Sequence, residues 1–72
     1  MILITGSAGY IGSQICKKFE KSKIKYIGID NLKYTYKDNI YNKKNFVKCC
    51  ISNKKKITSI IKQKKVITII HA

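Results

Sequence analysis

Apolar residues change their spacing along the chain in a way that separates strands from helices. Ile2, Leu3 and Ile4 form an unbroken run that closes at Thr5 and Gly6, the pattern of a short buried parallel strand feeding a tight turn. From Ile11 the period lengthens. Ile11, Ile15 and Phe19 recur every four residues, with Lys17, Lys18 and Lys21 between them, which predicts a helix with one buried stripe and a lysine-covered outer face. Ile24, Tyr26, Ile27 and Ile29 predict a second strand, stopped by the turn-forming pair Asp30-Asn31.

Leu32 to Asn45 are polar and tyrosine-rich, without a clear period, and read as a loop with room for one helical turn. Phe46 to Ile51 predict a third strand. Ser52 and Asn53 are suited to cap a second helix in which Ile57, Ile60 and Ile61 share a face surrounded by lysines. Val66 to Ile70 predict a fourth strand, apolar enough to be buried on both faces. Strands alternating with helices imply an α/β fold of the Rossmann type, a doubly wound parallel sheet with right-handed crossovers. Its first four strands are expected in the order 3-2-1-4, which puts a ligand crevice between strands 1 and 4. Seventy-two residues supply at most one domain, and only part of such a sheet.

Charge changes this picture less than its size suggests. The formal net charge is +13, from 16 basic residues against Glu20, Asp30 and Asp38. Such an excess raises the question of a polyanionic partner. Every basic residue is lysine, however, and none is the arginine that makes bidentate contacts to phosphates and bases. Lysine, isoleucine, asparagine and tyrosine fill 41 positions, and all four have A/T-rich codons. Composition bias therefore explains the charge better than nucleic-acid binding does. Cys16, Cys49 and Cys50 form no C-x-x-C pair, so neither a disulfide framework nor a zinc site is expected. No basic segment precedes the first apolar run and no run approaches the length of a membrane span, so a reducing cytoplasm is expected.

The chemistry lies in Thr5 to Gly12, T-G-S-A-G-Y-I-G, between the first strand and the first helix. Gly6 permits a sharp turn, Gly9 lets backbone approach a pyrophosphate, and Gly12 lets the helix pack closely on the sheet. The helix start adds unpaired N–H groups and a partial positive charge. Spaced glycines alone are weak grounds, but Asp30 stands 18 residues past Gly12 at the end of the second strand. A carboxylate there accepts from both ribose hydroxyls of an adenosine and repels a 2′-phosphate, so the expected cofactor is NAD rather than NADP.

M-I-L-I-T-G-S-A-G-Y-I-G-S, D-N-L at Asp30 to Leu32, F-V at Phe46 and Val47, and the closing I-I-H-A together resemble the amino-terminal part of the nucleotide-sugar epimerases and dehydratases, in the extended short-chain dehydrogenase/reductase family. G-Y-I-G-S with D-N-L favours the UDP-glucose 4-epimerase branch. The resemblance implies that residues 1–72 are the first part of an NAD-binding Rossmann domain and that the substrate domain is absent. It places Tyr10 and Ile11 along the pyrophosphate, and Asp30, Asn31 and Leu32 around the adenosine ribose. Where the family carries G-D-I after the third strand, this chain has Cys49, Cys50 and Ile51. Cys50 thus replaces an aspartate that meets the adenine amino group, a weakening of about 1 kcal/mol, while Ile51 keeps an apolar wall. Ser7 replaces a common glycine. The resemblance implies a full-length parent that interconverts UDP-glucose and UDP-galactose and binds a UDP-sugar, with a homodimer as an expected assembly.

The family's Tyr-x-x-x-Lys proton-transfer pair is missing. Tyr10, Tyr26, Tyr34, Tyr36 and Tyr41 are followed four residues on by Gln14, Asp30, Asp38, Ile40 and Asn45. No catalytic residue is therefore expected within these 72. His71 reads as a packed or capping residue and Cys49-Cys50 as small core fillers. Three further readings stay open: an inactive gene remnant, another nucleotide-sugar dehydratase or epimerase, and a basic module that binds polyanions. As an isolated chain the sequence is expected to be poorly stable, because the fourth strand leaves an apolar edge.

Overall fold

The computed structural model describes all 72 residues. Strands β1 (Ile2–Thr5), β2 (Tyr26–Asp30), β3 (Phe46–Lys48) and β4 (Thr68–His71) form one parallel sheet in the order β3-β2-β1-β4. Helix α1 (Tyr10–Lys21) connects β1 to β2, and α2 (Lys54–Gln63) connects β3 to β4. Leu3 pairs with Ile27 on one side and Ile69 on the other, so β1 is an interior strand like β2, and these two are the buried strands of the sheet. The expected order and the two helices are thus observed.

Each sheet face carries its own small core. Leu3, Ile27, Ile29, Cys49 and Ile60 pack on the α2 side, joined by Ile57, Ile61 and Val66. Ile4, Cys16 and Tyr26 pack on the α1 side, with Ile2, Ile15, Phe19 and Ile70 around them. Only 14 of 72 residues are buried, which leaves a core too small for more than modest stability.

Several boundaries differ from the sequence expectation. The buried line of α1 runs through Gly12 and Cys16, flanked by Ile15 and Phe19, while Ile11 is 60% exposed. Close contact with the loop requires the glycine face, so the isoleucine in the first turn points outward. Ile24 lies outside β2 and is exposed, because it closes the end of α1 instead. β3 ends at Lys48 rather than Ile51, since only Phe46, Val47 and Lys48 pair with β2. β4 begins at Thr68 and is largely exposed, against the expectation of burial on both faces. It is an edge strand, paired only with β1. The loop between β2 and β3 contains two 3-10 turns, Lys37–Asn39 and Lys43–Asn45.

Both helices end in the same way, and with an unusual residue. After α1, the Lys23 N–H bonds the Glu20 carbonyl and the Ile24 N–H bonds that of Phe19. After α2, Lys65 and Val66 bond Lys62 and Ile61 in the same arrangement. This is the Schellman motif, whose left-handed residue is most often glycine. Here lysines hold it, Lys23 at φ 57° and Lys65 at φ 52°. At the other end of α2, the Asn53 side chain accepts from the Lys56 N–H, so Asn53 rather than Ser52 is the cap.

Candidate functional site

The carboxyl ends of β1, β2, β3 and β4 open on a shallow cleft of about 160 Å³, lined by Gly6, Asp30, Asn31, Cys49, Cys50, Ile51, His71 and Ala72. Five of the expected site residues therefore meet there: Gly6, Asp30, Asn31, Cys50 and Ile51. Gly9, Tyr10, Ile11 and Gly12 form the adjoining start of α1, and Leu32 lies beyond Asp30 in the loop.

Close approach explains the glycines of the first turn. Gly6 adopts φ 66°, and a Cβ there would lie 2.8 Å from the Ala72 carbonyl oxygen. A Cβ on Gly12 would overlap the Gly6 carbonyl oxygen and stand 2.9 Å from Cα of Ser7. Gly9 is different. It caps α1 in an extended conformation with no side-chain cap, and a Cβ there would meet only the Gly6 carbonyl oxygen at 3.3 Å and a Thr35 methyl at 3.8 Å. The first backbone bond of α1 runs from the Ser13 N–H to the Gly9 carbonyl, and the N–H groups of Tyr10, Ile11 and Gly12 make none. Three donors and the positive end of the helix dipole thus stand beside a bare backbone, an arrangement suited to a phosphate. Tyr10, 80% exposed, and Ile11 flank this end without covering the sheet.

Asp30 is the one carboxylate of the cleft and is 92% buried, being only 8% exposed. Its Oδ2 accepts from the Ala8 N–H at 3.1 Å, and its Oδ1 accepts from the Leu32 N–H at 2.8 Å and the Thr35 hydroxyl at 3.0 Å. The residue therefore ties the glycine loop to the loop after β2. Asn39 adds a second tie, its amide donating to the Ala8 carbonyl at 2.9 Å. Leu32 contributes through its backbone and through a left-handed φ of 60°, which turns the chain around the carboxylate. Thr35 and Asn39 carried no signal in the sequence, since their loop has no period and no motif.

Glu20, at the far end of α1, organises the other half of the same loop. It accepts from the Tyr26 hydroxyl at 2.6 Å, the Asn42 amide at 2.9 Å and the Asn45 amide at 3.3 Å. The Tyr26 hydroxyl, then the Asn42 amide, hold the Glu20 carboxyl below its ordinary value. Burial, reinforced by the bond to Glu20, pushes the Tyr26 phenol up.

The three thiols differ sharply. Burial, with help from Glu20, raises Cys16 to about 11. Cys49 is buried and points into the α2-side core. Cys50 is exposed at the cleft, against the expectation that both adjacent cysteines fill the core; the chain has left the sheet by Lys48, and the two residues face opposite ways. Its sulfur lies 3.0 Å from the Ser52 hydroxyl, and that bond lowers its pKa. His71 is exposed at the cleft, its Nδ1 2.6 Å from the Thr5 hydroxyl. Ser7 is buried against Gly28, where a Cβ would stand 2.6 Å from its own, and the Ser7 hydroxyl has no partner.

The sequence pattern of the NAD dependent epimerase/dehydratase family matches residues 2–72. This chain belongs to that family. Within it, the chain is 44% identical over 54 residues to a curated protein of Methanocaldococcus jannaschii provisionally named a UDP-glucose 4-epimerase, a match covering 75% of this chain and 18% of that protein. Among solved structures, UDP-glucose 4-epimerase of Thermotoga maritima, crystallised with UDP-glucose, superposes with a TM-score of 0.88 at 27% identity, over 99% of this chain and 23% of that one. The dTDP-glucose 4,6-dehydratase of Bacillus anthracis, in complex with NAD, gives 0.85 at 35% identity, over 97% and 25%. The chain thus spans about a fifth to a quarter of the length of these relatives. Its sheet matches part of the family's Rossmann-like fold. No helix is long and apolar enough to cross a membrane.

Proposed function

We propose that these residues form the NAD-binding amino-terminal portion of a UDP-glucose 4-epimerase-like enzyme. The observation that carries this reading is the junction of two halves: the bare backbone of Gly9 with the free N–H groups of Tyr10, Ile11 and Gly12, and the buried carboxylate of Asp30 joined to that loop through Ala8. The first suits a pyrophosphate and the second an adenosine ribose. Gly6, Gly9, Tyr10, Ile11 and Gly12 would hold the phosphates. Asp30, Asn31 and Leu32 would hold the ribose, and Cys50 and Ile51 the base.

When bound, NAD supplies a nicotinamide that takes a hydride from the sugar and returns it. This chain's own part is to bind and orient. No Tyr-x-x-x-Lys pair stands within these 72 residues, so the proton-transfer step belongs to residues outside them. UDP-sugar, a homodimeric assembly and a cytoplasmic setting belong to the same reading of the whole enzyme.

The competing reading, a basic module for polyanions, makes an opposite prediction about cofactor choice. With a net charge of +13, nonspecific attraction favours NADP, the more highly charged dinucleotide. Asp30 disfavours its 2′-phosphate locally. Calorimetric titration of both dinucleotides into the 72-residue chain separates the two. NAD bound at least about tenfold more tightly supports the cofactor site; NADP bound more tightly, or equal binding of both, sinks it.

A further inference from the structure

Resting on the dinucleotide reading above, we propose that the base end of this cleft accepts a 6-oxopurine dinucleotide about as well as the 6-aminopurine dinucleotide NAD. The cleft has one carboxylate, Asp30, and three internal donors already occupy it. Beyond it the wall consists of Asn31, Cys50 and Ile51, with Ser52 behind the thiol. The other two acids lie elsewhere, Glu20 being engaged by Tyr26, Asn42 and Asn45, and Asp38 standing exposed in the first 3-10 turn. The base end therefore has no fixed anionic acceptor.

What it has instead can act in either direction. The Cys50 sulfur and the Ser52 oxygen lie 3.0 Å apart, and either can be the donor. Turning the two protons together switches which of the two atoms donates toward a ligand and which accepts. The Asn31 amide nitrogen, 4.0 Å from the sulfur, is a donor, while its oxygen is taken by the Lys33 N–H at 2.9 Å.

A 6-aminopurine presents a donor at position 6 and an acceptor at N1. A 6-oxopurine presents the reverse. A carboxylate facing that edge would reject the oxo form by setting acceptor against acceptor, because unmatched buried polar groups are what give hydrogen-bonding sites their selectivity. A rotatable thiol and hydroxyl serve both edges, and Ile51 stacks on either ring without preference.

The test is calorimetric titration of the 72-residue chain with NAD and with nicotinamide hypoxanthine dinucleotide, alongside Cys50→Asp and Cys50→Ser. The unaltered chain and Cys50→Ser should bind the two with dissociation constants within about threefold, and Cys50→Asp should favour NAD by at least about tenfold. Cys50 is exposed, so both variants keep the core intact. A tenfold or greater preference for NAD in the unaltered chain overturns the inference while leaving the NAD site standing. So does a ratio that Cys50→Asp leaves unchanged. Binding of neither dinucleotide overturns the NAD reading itself, and this inference with it.

Discussion

Replacing Asp30 with asparagine keeps the shape of the side chain and removes only its charge and one acceptor. The orientation that preserves most sets the amide oxygen at Oδ1, where it still accepts from the Leu32 N–H and the Thr35 hydroxyl. The amide NH2 then faces the Ala8 N–H, donor against donor, and Ala8 is fully buried. An orphaned buried N–H costs about 1–3 kcal/mol, and the two surviving bonds each lose about 1 kcal/mol when their acceptor becomes neutral. Partial relaxation leaves an expected loss of about 2–4 kcal/mol, against a total of about 4–11 kcal/mol for a chain of this length. Asp30→Asn should therefore lower the urea midpoint, followed by circular dichroism, by about a fifth or more. Thr35→Val removes one bond at the more open oxygen and should cost only about 1 kcal/mol. A variant within about 0.5 kcal/mol of the unaltered chain would refute the claim that this carboxylate holds the two loops together.

Three further outcomes follow from the geometry. Lys23→Gly and Lys65→Gly each relieve a left-handed lysine, worth about 1–2 kcal/mol, and return part of that as unfolded-state entropy, so each should stabilise the chain by about 0.5–1 kcal/mol in the same unfolding assay. Of the three thiols, Cys50 should react first with a thiol-specific reagent and slow on addition of NAD, with Cys16 and Cys49 reacting only on unfolding; peptide mapping checks this. Because Glu20 has a carboxyl pKa below its ordinary value near 4.5, its stabilising bonds are complete above that pH and lost as pH falls through the lower folded value. Melting temperature should therefore fall below about pH 4.5, and Glu20→Gln should reduce that fall.

How far the sequence reveals this molecule depends on whether a feature is local. β1, α1 and the end of β2 were legible, because glycine spacing, an apolar run and a placed aspartate each act over a few residues. Strand order followed from the alternation of elements. The exposure of β4 was not legible: the segment Val66 to Ile70, V-I-T-I-I, has the composition of a covered strand, but only a neighbour on its outer side would cover it. The outward turn of Ile11 was hidden because the helix face is chosen by the need of Gly12 to touch the loop, a contact between backbones. Cys49 and Cys50 look equivalent in sequence and face opposite ways in the fold. Thr35 and Asn39 lie in a segment with no period, Glu20 lies at the end of α1, and all three act through partners 5 to 31 residues distant, so no pattern announced them.

The central claim is that Thr5 to Gly12 and Asp30 form one NAD site, and a salt series tests it most directly. NAD affinity of the 72-residue chain, measured by calorimetry between about 50 and 200 mM salt, should fall only a few-fold, while binding of a single-stranded oligonucleotide, which makes many phosphate contacts, loses about a thousandfold or more over that range; Asp30→Ala, with its fold checked by circular dichroism, should abolish NAD binding at every salt concentration. Binding that collapses with salt and survives the loss of Asp30 would contradict the account.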